Sequence, residues 1–182
     1  MDFDVLDPNR FAAIVYDEGA AVDALMSKFA SELVEAGVDA RGIVQLPPDA
    51  EGCGPGALMK LRDVATGEII PLCQDLGPDA GGCRLDTSAL AGAAVRLRLA
   101  ASSPSDILFF SKFGKQEAAG GGMRAELAYA ISEGRTTLTA VKRSLLPAWL
   151  SFTGGQGTLL QQRLWVIRNW WLENSSFAAR AA

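Results

Sequence analysis

The chain has 182 residues, 49% hydrophobic and 21% charged, with a formal net charge of −4. That suits one soluble globular domain with a full core. No apolar run approaches the ~18 residues of a membrane helix, and no long basic run invites a polynucleotide, so membrane and nucleic acid are excluded as main partners.

The start, Met1-Asp2-Phe3-Asp4, lacks the basic n-region of a secretory signal, and the cytoplasm is the expected location. Histidine is absent, which removes the Ser-His-Asp triad, the Cys-His pair and carboxylate-histidine zinc sites. Proton transfer would fall to Asp, Glu, Lys, Cys or Tyr. The three cysteines form no Cys-x-x-Cys pair, so neither a disulfide framework nor a zinc site is indicated.

Phe11 to Tyr16 reads as a first buried strand, stopping at Asp17-Glu18-Gly19. A helix follows with Leu25, Met26, Phe29, Ala30, Leu33 and Val34 on one face, ended by Gly37. Arg41 to Leu46 is a second strand, and the unit is a right-handed βαβ crossover. Pro47 to Gly56 is a loop. Leu58 to Val64 and Glu68 to Cys73 predict a hairpin around Ala65-Thr66-Gly67, an insertion or an edge feature. Gln74 to Arg84 is a second glycine-rich loop. Asp86 or Thr87 caps a helix with Leu90, Ala94, Leu97 and Ala101 on its apolar face.

Ile107 to Phe110 is an unbroken apolar run, as expected of a strand buried on both faces of a parallel sheet. Ser111, Lys112, Lys115, Gln116 and Glu117 follow abruptly, then Gly120-Gly121-Gly122. Ligands of open α/β sheets sit beyond the strand carboxyl ends, so these residues stand either on a ligand crevice or on a solvated loop. Met123, Leu127 and Ile131 mark a further helix, ended by Gly134. Thr136 to Val141 is another parallel strand, with Lys142 and Arg143 at its carboxyl end. Leu145 to Phe152 predicts a short helix with Pro147 in its first turn, and Gly154 to Gly157 a turn. Leu160, Leu164, Ile167 and Trp171 then share a helical face, with Trp165 and Trp170 beside it. This tryptophan-rich end is either a cap docked on the core or a homodimer contact.

A P-loop, G-x-x-x-x-G-K-[ST], belongs directly after the first strand. The segment there is Asp17-Glu18-Gly19-Ala20-Ala21-Val22-Asp23. Val22 falls at the lysine position and Asp23 at the Ser/Thr position. Ordinary hydrolysis of ATP or GTP is therefore not expected. The helix start at Gly19 retains backbone N–H groups suited to an anion. Asp17, Glu18 and Asp23 either hold magnesium or are simply solvated, with Asp23 as an N-cap.

The segments Ala12 to Gly19, Leu61 to Glu68, Gln74 to Pro78, Gly82 to Asp86, Phe113 to Glu117, Leu138 to Val141 and the Gly-Gly-Gln-Gly turn occur in this order. Together they resemble the bacterial domain-of-unknown-function family 2478, over about Phe11 to Trp171. That family resembles in turn the thermophile nucleoside-triphosphatase and nucleotide-kinase-like P-loop proteins. Their Ile-Gly-Lys-x-Glu is matched here by Phe113-Gly114-Lys115-Gln116-Glu117, while their strand-end Asp-Glu is replaced by Ser111-Lys112. The resemblance implies a nucleotide site with magnesium, with Lys115 and Glu117 in the catalytic positions. Members of the 2478 family tend to lie near molybdate-uptake and molybdoenzyme genes, so the resemblance also implies a link to molybdate.

The expected fold is a single α/β domain over 1–182, P-loop NTPase-like and three-layered, with a mostly parallel sheet and a small β-hairpin. Its core spans about 11–143 and a C-terminal helical cap about 144–174. The expected ligand is a small anion, bound at Asp17, Gly19, Cys83, Arg84, Ser111, Lys112, Lys115 and Arg143. Arg84, Lys112, Lys115 and Arg143 either converge on an oxyanion or phosphate or are surface charge. Cys83 is a soft ligand or a packing residue. The reading is a nucleotide- or oxyanion-binding accessory protein. A nonstandard phosphotransferase and a protein-binding pseudoenzyme are the alternatives.

Overall fold

The computed structural model describes residues 7–17, 19–47, 59–74 and 84–175. In chain order the elements are β1 (Phe11–Tyr16), α1 (Gly19–Glu35), β2 (Ala40–Gln45), β3 (Lys60–Asp63), β4 (Ile69–Pro71), β5 (Cys73–Gln74), β6 (Arg84–Leu85), α2 (Thr87–Ser102), β7 (Ile107–Phe109), α3 (Lys115–Ala118), α4 (Arg124–Ser132), β8 (Thr137–Lys142), α5 (Leu146–Thr153), β9 (Thr158–Gln161) and α6 (Leu164–Asn174).

The main sheet has seven strands in the order β4-β3-β2-β7-β8-β1-β9. β2, β7, β8, β1 and β9 run parallel, and β3 and β4 add an antiparallel hairpin at one edge. Ile107, Leu108 and Phe109 are fully buried, as the unalternating apolar run requires. Alternate strand residues face two helical layers. Ile14, Phe109 and Ala140 pack with Val22, Met26 and Phe29 of α1 and with Ile167, Trp170 and Trp171 of α6. Ala13, Leu108 and Val141 pack with Ala93 and Leu97 of α2, Leu127 of α4 and Trp149 of α5. This is a P-loop NTPase-like three-layer α/β fold.

The connection from β1 leaves to α1 on one face, and that from the adjacent β8 leaves to α5 on the other. Neighbouring strands with opposite exits open a crevice at their carboxyl ends, where such folds take ligands. The β2–β7 pairing next to it depends on Gly42. Its φ is +104°, and a Cβ there would collide with the Phe109 backbone.

Several expectations are corrected. Thr158–Gln161, expected to lead into the last helix, is a fifth parallel strand beside β1, and α6 starts only at Leu164. Glycines with positive φ at 154, 155 and 157 turn the chain back toward β1. Only Leu160 of this short edge strand is buried, so its pattern lacks the apolar content of an interior strand. Cys73–Gln74 and Arg84–Leu85 pair as a separate two-stranded ribbon, although the segment from Gln74 was expected to be loop. Lys115–Ala118 forms a short helix within the stretch expected as loop. Trp170 and Trp171 are buried, as a docked cap requires, and Trp170 Nε1 donates to the Asn9 carbonyl at 2.9 Å. Trp165 alone of these three is exposed, and Val34 on α1 is exposed rather than core.

Candidate functional site at the strand carboxyl ends

The site is built on a one-residue irregularity. Phe109 pairs with Leu138, and Phe113 bridges to Val141. Between these pairs the β7 side carries Phe110, Ser111 and Lys112, while β8 carries only Thr139 and Ala140. The chain bulges, and a bulge re-aims the side chains that follow it. Plain alternation from Phe109 would send Lys112 to the α2 and α4 face. The extra residue returns it to the α1 face.

There Lys112 meets Asp23. Its Nζ lies 2.7 Å from Oδ1 and 2.8 Å from Oδ2, with the side chain of Asp23 4% exposed. The same ammonium stands 5.6 Å from the centroid of the Tyr16 ring, within cation–π range. Burial pushes the Asp23 carboxyl above its ordinary range, and the Lys112 hydrogen bond and charge oppose that shift. Burial, with the Asp23 charge second, likewise raises the Tyr16 phenol. A solvated residue, an N-cap and a magnesium ligand are the roles the sequence leaves open for Asp23. It is none of the first two: it lies inside α1 on the buried side, three residues before Met26. That spacing, on the apolar stripe, was the signal in the sequence.

One residue along β1 the geometry changes. Asp17 and Arg143 form a bidentate pair, Nε to Oδ1 at 2.9 Å and Nη2 to Oδ2 at 3.3 Å, with both side chains more than half exposed. The Arg143 hydrogen bonds hold the Asp17 carboxyl below the ordinary range, and Asp17 raises the guanidinium in return. This pair borders an open cavity of about 410 Å³, lined also by Leu146, Gln161, Gln162 and Arg163. The last three were not singled out in the sequence because β9 was not recognised. They supply two amide side chains and a guanidinium at the end of β9 and just past it.

The remaining candidates stand on several elements. Ser111 is buried at the bulge. Lys115 is exposed on α3. Glu117 is buried, with Oε2 accepting the Gly114 N–H at 2.9 Å and Oε1 the Met123 N–H at 3.0 Å, so both carboxylate oxygens hold the loop. Gly19 opens α1. The Arg84 backbone belongs to the β5–β6 ribbon; its side chain, Glu18 and Cys83 lie outside the described part. The structure thus joins Lys112 to Asp23 and Arg143 to Asp17, so each of these two cations is paired with a carboxylate.

The family described as "Protein of unknown function (DUF2478)" matches residues 11–170. The chain is 46% identical over 177 residues to the molybdenum import ATP-binding protein ModC 2 of Bradyrhizobium diazoefficiens. That match covers 97% of this chain and 20% of the relative, so the chain spans about a fifth of its length. No solved structure matches the chain.

Proposed function

This chain belongs to the DUF2478 family, and with that as premise we propose that it is an accessory domain that binds a nucleotide or a small oxyanion at its strand carboxyl ends, with a degenerate P-loop, in molybdate handling. The observation that carries the reading is the cavity of about 410 Å³ at the ends of β1 and β9, lined by the donor side chains of Arg143, Arg163, Gln161 and Gln162. An anion entering it competes with Asp17 for Arg143. That pair is exposed and screened, so exchanging one carboxylate for another anion is cheap. The Lys112–Asp23 pair is buried, and an anion does not displace Asp23 at comparable cost. Within this cavity the cation that meets the ligand is therefore Arg143, with Arg163 beside it.

The similarity to a molybdenum import ATP-binding protein supports both an adenine nucleotide and molybdate as ligands to try. Magnesium-dependent hydrolysis is absent or very slow in this reading, because Val22 and Asp23 replace the P-loop Lys and Ser/Thr. Thermal shift and calorimetry with ADP, ATP, phosphate, molybdate and tungstate test it. Arg143→Ala is expected to weaken the ligand that binds by ~10- to 100-fold, the scale of one charged hydrogen bond. Unchanged affinity in both Arg143→Ala and Arg163→Ala, or no binding by the wild type, rejects it.

A protein-binding role is the second reading. Trp165, Leu159 and Leu172 are exposed around the free edge of β9, beside a groove of about 700 Å³.

A further inference from the structure

P-loop folds hold magnesium between the Ser/Thr of the first helix and the acidic end of a neighbouring strand. The elements that would do so here are α1, through Asp23, and the β7 bulge, through Ser111 and Lys112. The residues present do not fit that ion. Magnesium requires near-octahedral oxygen ligands at 2.0–2.1 Å. The carboxylate that could supply them already has an ammonium within 2.8 Å of both its oxygens. Among the described residues no group of three or more Asp, Glu, His or Cys side chains gathers to hold a metal.

We propose that the Lys112 ammonium is a resident cation in the place of the divalent ion, so that this chain takes an uncomplexed phosphate or oxyanion ligand without a metal. Three structural facts converge on this. The bulge places Lys112 on the α1 face, where regular alternation would not. Asp23 is buried and both its carboxylate oxygens lie within 2.8 Å of Nζ, which fixes Nζ between α1 and the β7 end. Among the described residues no second carboxylate pairs with Lys112, and its remaining donor capacity is left for a ligand oxygen. The Tyr16 ring shields the ammonium from one side.

The inference rests on the anion-site reading only for its ligand; the cation place itself is testable without one. Manganese binding to the full chain is measured by electron paramagnetic resonance, with the wild type, Asp23→Asn and Lys112→Glu compared. The wild type is expected to show no manganese site that Asp23→Asn removes. Lys112→Glu sets two carboxylates across the same gap and is expected to gain a manganese site, with a rise in melting temperature on adding the ion. A wild-type manganese site lost in Asp23→Asn overturns the proposal. So does a folded Lys112→Glu that stays blind to manganese; if that variant does not fold, the wild-type comparison decides alone. In a parallel titration, ADP and phosphate affinities with EDTA and with magnesium are expected to agree within ~2-fold. Tenfold tighter binding that requires magnesium and Asp23 also overturns it. A wild type that binds neither ADP, phosphate nor molybdate sinks the anion-site reading, and the manganese result still stands by itself.

Discussion

Lys112 and Asp23, 89 residues apart in sequence, form a two-pronged ion pair that ties the end of β7 to the buried side of α1. Each partner is largely shielded from water, so each depends on the other. Breaking such a pair leaves one charge without compensation, which costs far more than the pair itself contributes.

Lys112→Ala is accordingly expected to destabilise the chain by about 3 kcal/mol near neutral pH. The loss depends on pH. Burial already raises the folded-state pKa of Asp23 above 3.8, and removing Lys112 raises it further. The folded state then holds the Asp23 proton more tightly than the unfolded state, so this contribution favours folding below the unfolded value and is lost as pH rises through the folded value. The deficit of Lys112→Ala relative to wild type should be larger at pH 8 than at pH 5 in urea denaturation. The Asp23→Asn/Lys112→Ala double variant should lose that difference. A deficit independent of pH would contradict the assignment.

Glu117 holds two ends of one loop, the Gly114 and Met123 amides. Glu117→Ala strands both donors and is expected to cost about 2 kcal/mol, while Glu117→Gln keeps an acceptor and costs less. Denaturation midpoints and the exchange rate of the Met123 amide check this. If Glu117→Gln has an unchanged midpoint and exchange rate but abolishes a nucleotide turnover found in the wild type, the holding role is wrong and a catalytic one is right.

Gly42→Ala is expected to be the most damaging small substitution, at about 3–5 kcal/mol or loss of soluble protein, because the new methyl would meet the Phe109 backbone across the β2–β7 ladder. Gly37 also has positive φ, +79°, but nothing lies within 4 Å of its would-be Cβ. Gly37→Ala should therefore cost only about 1 kcal/mol. Similar melting temperatures for the two variants would show that the close approach at Gly42 does not matter.

The expectation of a homodimer through the tryptophan-rich end narrows to Trp165, since Trp170 and Trp171 are spent on the core. With Leu159 and Leu172 also exposed nearby, self-association at high concentration is expected to run through this face and to be abolished by Trp165→Glu. Sedimentation velocity checks it, and a clean monomer at several hundred micromolar would rule it out.

Periodicity alone determined most of the frame. The continuous apolar runs at Phe11–Tyr16 and Ile107–Phe110 read as interior strands, and the i, i+3, i+4 stripe of α1 made a helix packed on one face. The glycines at 37, 134 and 154 marked helix ends because only they adopt positive φ at no steric cost. The location of charge at strand carboxyl ends was equally legible, since topology puts those ends on one edge. What tertiary structure decided was pairing. Sequence spacing places Lys112 near a ligand edge, but a one-residue bulge, set by register between β7 and β8, determines which face it takes. Asp23 and Asp17 neutralise cations 89 and 126 residues away, contacts that no local pattern encodes. Thr158–Gln161 became a strand because β1 offers it a free edge, and that strand in turn carries Gln161, and Gln162 and Arg163 just past it, to the cavity. Local propensity is a property of a segment; register, edge pairing and ion partners are properties of two segments at once, and only the folded chain brings those together.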